Sequence, residues 1–147
     1  MSAKYADRSA KLTEVVIFRL SGYSRNLRKE VTKMDKYYFY DNGVRNMLID
    51  NFKRLDFRND IGQLWGNFIV AERKKYLANN NIRCGAYFWR TYTGAELDYI
   101  EEGNESLKAW EIKFSKKTKR PHQSFIQAYP DALTHYVTRD NYWEFIS

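Results

Sequence analysis

Apolar residues recur along this chain with two different spacings. Ile61, Leu64, Trp65, Phe68, Ile69 and Tyr76 return every three or four positions, which predicts a long amphipathic helix from 61 to about 77, capped by Asn59 or Asp60. Between residues 96 and 114, ELDYIEEGNESLKAWEIKF, the pattern predicts a β-hairpin turning at 103–106. Pairing Glu102 with Leu107 sets Ile100 opposite Ala109, Asp98 opposite Glu111 and Glu96 opposite Lys113. Side chains alternate along a strand, so one face collects Leu97, Tyr99, Trp110, Ile112 and Phe114 for burial. The opposite face is left with two carboxylates and a lysine.

The remaining elements are shorter. Residues 4–13 suit a short helix and 14–20, EVVIFRL, a strand that pairs with KYYFYD as a hairpin across the basic connection 25–36. That pair resembles the wing of a winged helix, with Arg25, Arg28, Lys29, Lys33 and Lys36 placed either near a phosphate backbone or simply in solvent. Asp41, Asn42 and Gly43 offer cap and turn chemistry before a helix over 44–52, whose Val44, Met47, Leu48 and Phe52 share one face. A polar stretch then marks a soft boundary near 58. A strand over 84–92, a short helix over 122–129, a strand over 133–138 and an apolar tail give the order α, β, β, β, α, β from residue 59. No internal repeat is visible.

Length and composition fit one domain of ordinary size: 147 residues, 44% hydrophobic and 17% aromatic. The mean hydropathy is low because charges and tyrosines are many, not because the chain lacks core residues. A net charge of +7 favours acidic partners, nucleic acid first among them. One cysteine, Cys84, excludes an intramolecular disulfide framework and a multi-thiolate zinc site, and the two histidines are too scattered for a histidine-rich metal site. No apolar signal core or membrane-spanning run is present, so a cytoplasmic location is expected.

Candidate chemistry gathers on the polar face of the hairpin. Facing carboxylates repel, so Asp98 and Glu111 call for a partner, either Lys113 or a divalent metal. A hard cation held by an Asp and a Glu can activate water and neutralise a phosphodiester, and a nearby lysine can stabilise the charge that develops. An ordinary Glu96–Lys113 ion pair, with the other two carboxylates in water, satisfies the same pattern. Glu72 lies close to the middle of the long helix's apolar stripe, where its carboxylate must be bound, paired, or carried to solvent or to Arg73 on its own stem. Lys116, Lys117, Lys119 and Arg120 form a basic loop just past Lys113, suited to phosphate contact or to plain solvation.

With the order of elements, an Asp on the second strand of the meander and Glu-x-Lys on the third, the chain resembles the PD-(D/E)XK nuclease-like superfamily. More narrowly, the strings RNLRKEVTKMDKYYFYDNGVRNMLIDNF, RNDIGQLWGNFIVAERKKYL, YFWRTYTGAELDYIEE and AWEIKF are similar to a C-terminal domain of unknown function found behind the AAA ATPase module of prokaryotic ATP-binding proteins. The resemblance implies an α/β fold with a restriction-endonuclease-like core, a mixed sheet flanked by helices, over 59–147, and a short winged-helix-like remnant over 1–58. It implies Asp98, Glu111 and Lys113 as the catalytic positions, with Asp98 and Glu111 holding Mg2+ or Mn2+. Glu72 matches a second helix glutamate of the family and is counted with them as a candidate catalytic residue. Where the family carries an earlier glutamate, in a Glu-Asn-Phe string, this chain has Gly66-Asn67-Phe68. The centre is therefore expected to be degenerate. Glu72 lies about 120° around the helix from Gly66, so it does not replace the missing group. No GxxxxGK[ST] loop occurs, so there is no ATP site in this chain. The expected role is that of an accessory domain, binding nucleic acid beside an AAA ATPase domain or subunit, with active metal-dependent cleavage or pure protein interaction as the alternatives.

Overall fold

The computed structural model describes residues 16–25, 34–103, 106–115 and 123–147. Strands β1 (Ile17–Gly22) and β2 (Asp35–Phe39) form the expected antiparallel hairpin, with Phe18 opposite Tyr38. Helix α1 (Asn42–Leu48) starts where the Asp41 carboxylate accepts the Val44 N–H at 3.0 Å. The chain leaves helical geometry at Ile49 and enters the left-handed region at Asp50, φ 48°. That helix is therefore shorter than its apolar spacing predicts, and Met47, Leu48 and Phe52 are exposed rather than packed.

Helix α2 (Ile61–Asn79) follows, then the meander β3 (Gly85–Arg90), β4 (Glu96–Glu102) and β5 (Leu107–Ile112), the short helix α3 (Gln123–Ala128), strand β6 (Leu133–Val137) and a terminal turn of helix, α4 (Trp143–Ile146). Asp60 occupies the cap position of α2, but its carboxylate serves Arg45 and Arg58 instead of the helix N–H groups. The order from α2 to β6 is the one the sequence predicts.

The strands make one mixed sheet in the order β2-β1-β3-β4-β5-β6, antiparallel except for β1 with β3 and β5 with β6. The first hairpin thus extends the same sheet as the meander, and the division near residue 58 falls within it.

Both faces of this sheet are covered. Ile69, Val70 and Ala71 of α2 pack on Phe18, Leu20, Phe88, Tyr99, Trp110 and Ile112, joined by Phe145 of α4. On the other face, Trp89, Leu97, Ile100, Leu107 and Ala109 gather with Phe125 of α3, Tyr129 and Tyr23. Each fully buried large apolar side chain here contributes about 1.5–3 kcal/mol. The expectation that one face of the β4–β5 hairpin is free for chemistry is therefore corrected.

An irregularity in β4 explains part of the difference. Tyr87 pairs with Ile100 but Trp89 with Leu97, so one extra residue of β4 is accommodated between them. Leu97 is thereby switched to the face of Ile100, away from Tyr99. The irregular step contains Asp98.

Candidate functional site

The hairpin register predicted from the loop is observed from Glu102–Leu107 to Tyr99–Trp110. There the ladder with β4 stops, while β5 stays paired with β6 on its other edge, the Lys113 N–H donating to the Val137 carbonyl at 2.9 Å. The Ile112 N–H is taken by the Asp98 carboxylate at 2.8 Å. The bulge and the parting of β4 from β5 together hold Asp98 at the mouth of a cleft of about 540 Å³. Residues 36–39 of β2, Gly62, Gln63, Gly66 and Asn67 of α2, Arg45 and Lys113 complete its lining.

Asp98, Glu111 and Lys113 come together, as the sequence suggested. The Lys113 ammonium lies 2.7 Å from Glu111 Oε1 and 3.7 Å from Asp98 Oδ2. Burial pushes the Asp98 carboxyl above its ordinary pKa, and this outweighs the Ile112 N–H and the Lys113 charge, which oppose it. Burial works against the Lys113 charge, yet its hydrogen bond to Glu111 and the Asp98 charge hold its pKa above the usual lysine value. Glu111 Oε2 is buried without a hydrogen-bond partner among the described residues, and so is the hydroxyl of Tyr136, its neighbour on β6.

The expected Glu96–Lys113 pair is replaced by other partners. Glu96 binds Lys36, whose side chain crosses the Phe88 ring, and lies 3.6 Å from Arg90. Glu72, a candidate catalytic residue of the sequence reading, does not line the cleft and accepts from Lys75 at 2.6 Å. Arg73 turns instead to Glu101. Arg25 bonds Glu102 at 3.1 Å and sits over the Tyr23 and Tyr129 rings, four residues along β4 from Asp98, or about 13 Å at the rise of a strand. Arg28, Lys29, Lys33, Lys116, Lys117, Lys119 and Arg120 lie outside the described residues, as does the helix expected over 4–13.

Sequence reasoning missed Lys36, Arg45, Tyr38 and Asn67 as parts of this cleft. Asn67 is buried and clamps the edge strand: its Oδ1 accepts the Phe39 N–H at 2.8 Å and its Nδ2 donates to the Phe39 carbonyl at 2.8 Å. Its position three residues after Leu64 and four before Ala71, on the apolar stripe, was the available signal. Burial, then the Asp98 and Glu96 charges, raise the Tyr38 phenol well above its ordinary pKa.

These residues do not fit a divalent-metal centre of the kind the superfamily resemblance implies. Among the described residues no three His, Cys, Asp or Glu side chains converge. One Asp98 oxygen is bound to backbone, the Glu111 carboxylate is bound to an ammonium, and Gly66 contributes no side chain to the wall.

Fold and site together define a mixed α/β domain with a six-stranded sheet and an acidic–basic cleft where β4 and β5 part. The sequence profile of DUF4143, a domain of unknown function, matches residues 61–142, and the chain belongs to that family. An uncharacterised protein of Mycobacterium tuberculosis and another of Mycobacterium bovis are each 30% identical to it over 105 residues, 69% of this chain and 23% of theirs. The chain thus spans about a quarter of the length of the curated relatives it matches. No solved structure matches it. Among the described residues no helix is long and apolar enough to cross a membrane.

Proposed function

We propose that this is a PD-(D/E)XK nuclease-like accessory domain of an AAA ATPase system, one that binds nucleic acid through its basic surface without cutting it. The observation that carries this reading is Lys113: its ammonium bonds Glu111 and stands beside Asp98, in a cleft whose helix wall, Gly62, Gln63, Gly66 and Asn67, offers no carboxylate. A cleavage centre needs carboxylates free to hold a metal, and here one ammonium already stands against both. The net charge of +7 supports nucleic acid as the partner.

Fluorescence anisotropy with labelled single- and double-stranded DNA and RNA tests the binding half. Affinity is expected to fall steeply with salt, by a factor of ~10³ or more between ~50 and ~200 mM if about six phosphates are contacted. No affinity at the lower salt removes that half. Incubation with magnesium or manganese tests the other, and cleavage that Asp98→Ala abolishes would show a working nuclease.

One observation favours a second reading, a protein-interaction module. Met47, Leu48, Ile49, Phe52, Leu55 and Phe57 are 48–73% exposed within eleven consecutive residues. The relatives are far longer than the match, so this strip can serve as the seat of another domain, the ATPase in the reading above. Co-elution with a purified AAA ATPase that Phe52→Ser with Phe57→Ser abolishes would support it, and co-elution unaffected by that double variant would not.

A further inference from the structure

The face of the sheet that carries the Asp98 cleft has a second one at the opposite end of α2. It measures about 620 Å³, within the usual range for small-molecule sites. Lys74 and Leu77 from the last turns of α2 form one wall, Phe18 and Leu20 of β1 the other, and Ile82 and Cys84 close the side. Two properties distinguish it from an ordinary surface groove.

The first is charge. Arg19, Lys74 and Lys75 line it and, among the described residues, no carboxylate does. Lys75 is occupied by Glu72 at 2.6 Å and Arg19 reaches Asp35 at 3.4 Å, whereas the Lys74 ammonium rests over the Phe18 ring at 5.0 Å. A cation held over an aromatic face at the edge of an apolar wall can turn to an anion without breaking an ion pair. The second is Tyr99. It belongs to the wall, is 1% exposed, and its buried hydroxyl has no close hydrogen-bond partner among the described residues, the neighbouring Glu101 carboxylate being taken up by Arg73. Buried hydroxyls almost always find partners, so this one marks a place where a bound group can supply an acceptor.

We propose that this cleft binds a small amphiphilic anion, an aromatic or apolar body seated between Leu77, Leu20 and Ile82 with a single phosphate or carboxylate head at Lys74. The apolar body accounts for the wall, the head for the cations, and a polar atom on the body for Tyr99. The site is separate from the Asp98 cleft and does not depend on nucleic-acid binding there.

The test uses 1-naphthyl phosphate and 1-naphthoate as probes, followed by amide chemical shifts of the ¹⁵N-labelled protein. Saturable shifts are expected at Leu77, Ile82 and Ala86, with one or both heads, and the preferred head identifies the class. Inorganic phosphate and 1-naphthalenemethanol, each lacking half of the ligand, are expected to bind at least about tenfold more weakly. Lys74→Glu, at a half-buried helix position, should weaken the probe by about tenfold or more, with the unshifted amide spectrum of the free variant checking its fold. Tyr99→Phe should weaken it by about threefold. No saturable shift, shifts confined to residues 47–57, or equal affinity in Lys74→Glu would overturn the proposal. Equal affinity in Tyr99→Phe would remove the hydroxyl from the site.

Discussion

Glu101 and Asp98 stand three residues apart on β4, and their surroundings differ in how fully they are satisfied. Both Glu101 oxygens accept from Arg73, at 2.7 and 2.9 Å, and the third guanidinium nitrogen donates to the Phe145 carbonyl at 2.7 Å. The Tyr76, Trp110 and Phe145 rings surround that guanidinium. Around Asp98, one ammonium serves two carboxylates, and one Glu111 oxygen has no partner among the described residues. The saturated pair ties α2 and α4 to the sheet. The unsaturated cluster lines a cleft and has bonding capacity left over, as expected of a site shaped by chemistry rather than by folding.

The largest expected effect tests the saturated pair. Glu101→Ala leaves the Arg73 charge buried and unpaired, which costs about 3–5 kcal/mol. Urea unfolding should show it, and a loss under 1 kcal/mol would mean that water already reaches the guanidinium. The same experiment on the cleft should give a smaller and more selective answer. Asp98→Ala strands the Ile112 N–H and costs about 1–3 kcal/mol, whereas Asp98→Asn keeps an acceptor, removes a repelled charge and should be close to neutral. Equal losses in both variants would locate the value of Asp98 in its charge rather than in its hydrogen bond.

How legible these two regions were in the sequence differs for physical reasons. The loop fixed the register, so Ile100 opposite Ala109 could be read directly, as could the helix with Ile69 on its buried side. The bulge could not. Alternation presumes one residue per step, and the extra residue at Asp98 sends Leu97 to the face of Trp89. Nor did alternation reveal that Phe125 covers that second face, since burial of a sheet's far side depends on a helix distant in sequence. Asp98, Glu111 and Lys113 were readable as neighbours because they sit close together on adjoining strands of one hairpin, although the predicted ladder ends before them. Lys36 and Asn67 were not, because β2 and α2 reach the cleft only through the tertiary fold.

Acidification separates satisfied from unsatisfied carboxylates by sign. The folded Asp98 keeps its proton to a higher pH than the unfolded chain, whose value is near 3.8. From that value up to the raised one the native state binds more protons, so stability falls as pH rises through the window. Asp60 is the opposite case. Hydrogen bonds from Arg58, then Arg45, working against its desolvation, lower it to about 2, so its contribution is present above 3.8 and lost as pH falls toward 2. Unfolding midpoints measured from pH ~6 down to ~2 should fall less on acidification in Asp60→Asn and more in Asp98→Asn than in the parent. Parallel curves for both variants would show that the two carboxylates do not differ as the geometry requires.

The smallest effect probes the blank wall of the cleft. Beyond its own helix backbone and chain neighbours, no atom of the described residues lies within 4 Å of a Cβ built on Gly66, and a glycine inside a helix costs about 1 kcal/mol relative to alanine. Gly66→Ala should therefore stabilise the domain by roughly that amount, measured by urea unfolding, since it meets no steric opposition. Gly66→Glu adds a carboxylate to the wall that Asp98 shares, so repulsion should cancel part of the gain. The informative comparison is between these variants with and without manganese. A thermal midpoint that rises with the metal in Gly66→Glu, but not in Gly66→Ala or the parent, would show that the spare capacity around Asp98 and Glu111 lacks one carboxylate. If all three are indifferent to the metal, Lys113 alone is sufficient to close the centre, because its ammonium already lies against both carboxylates.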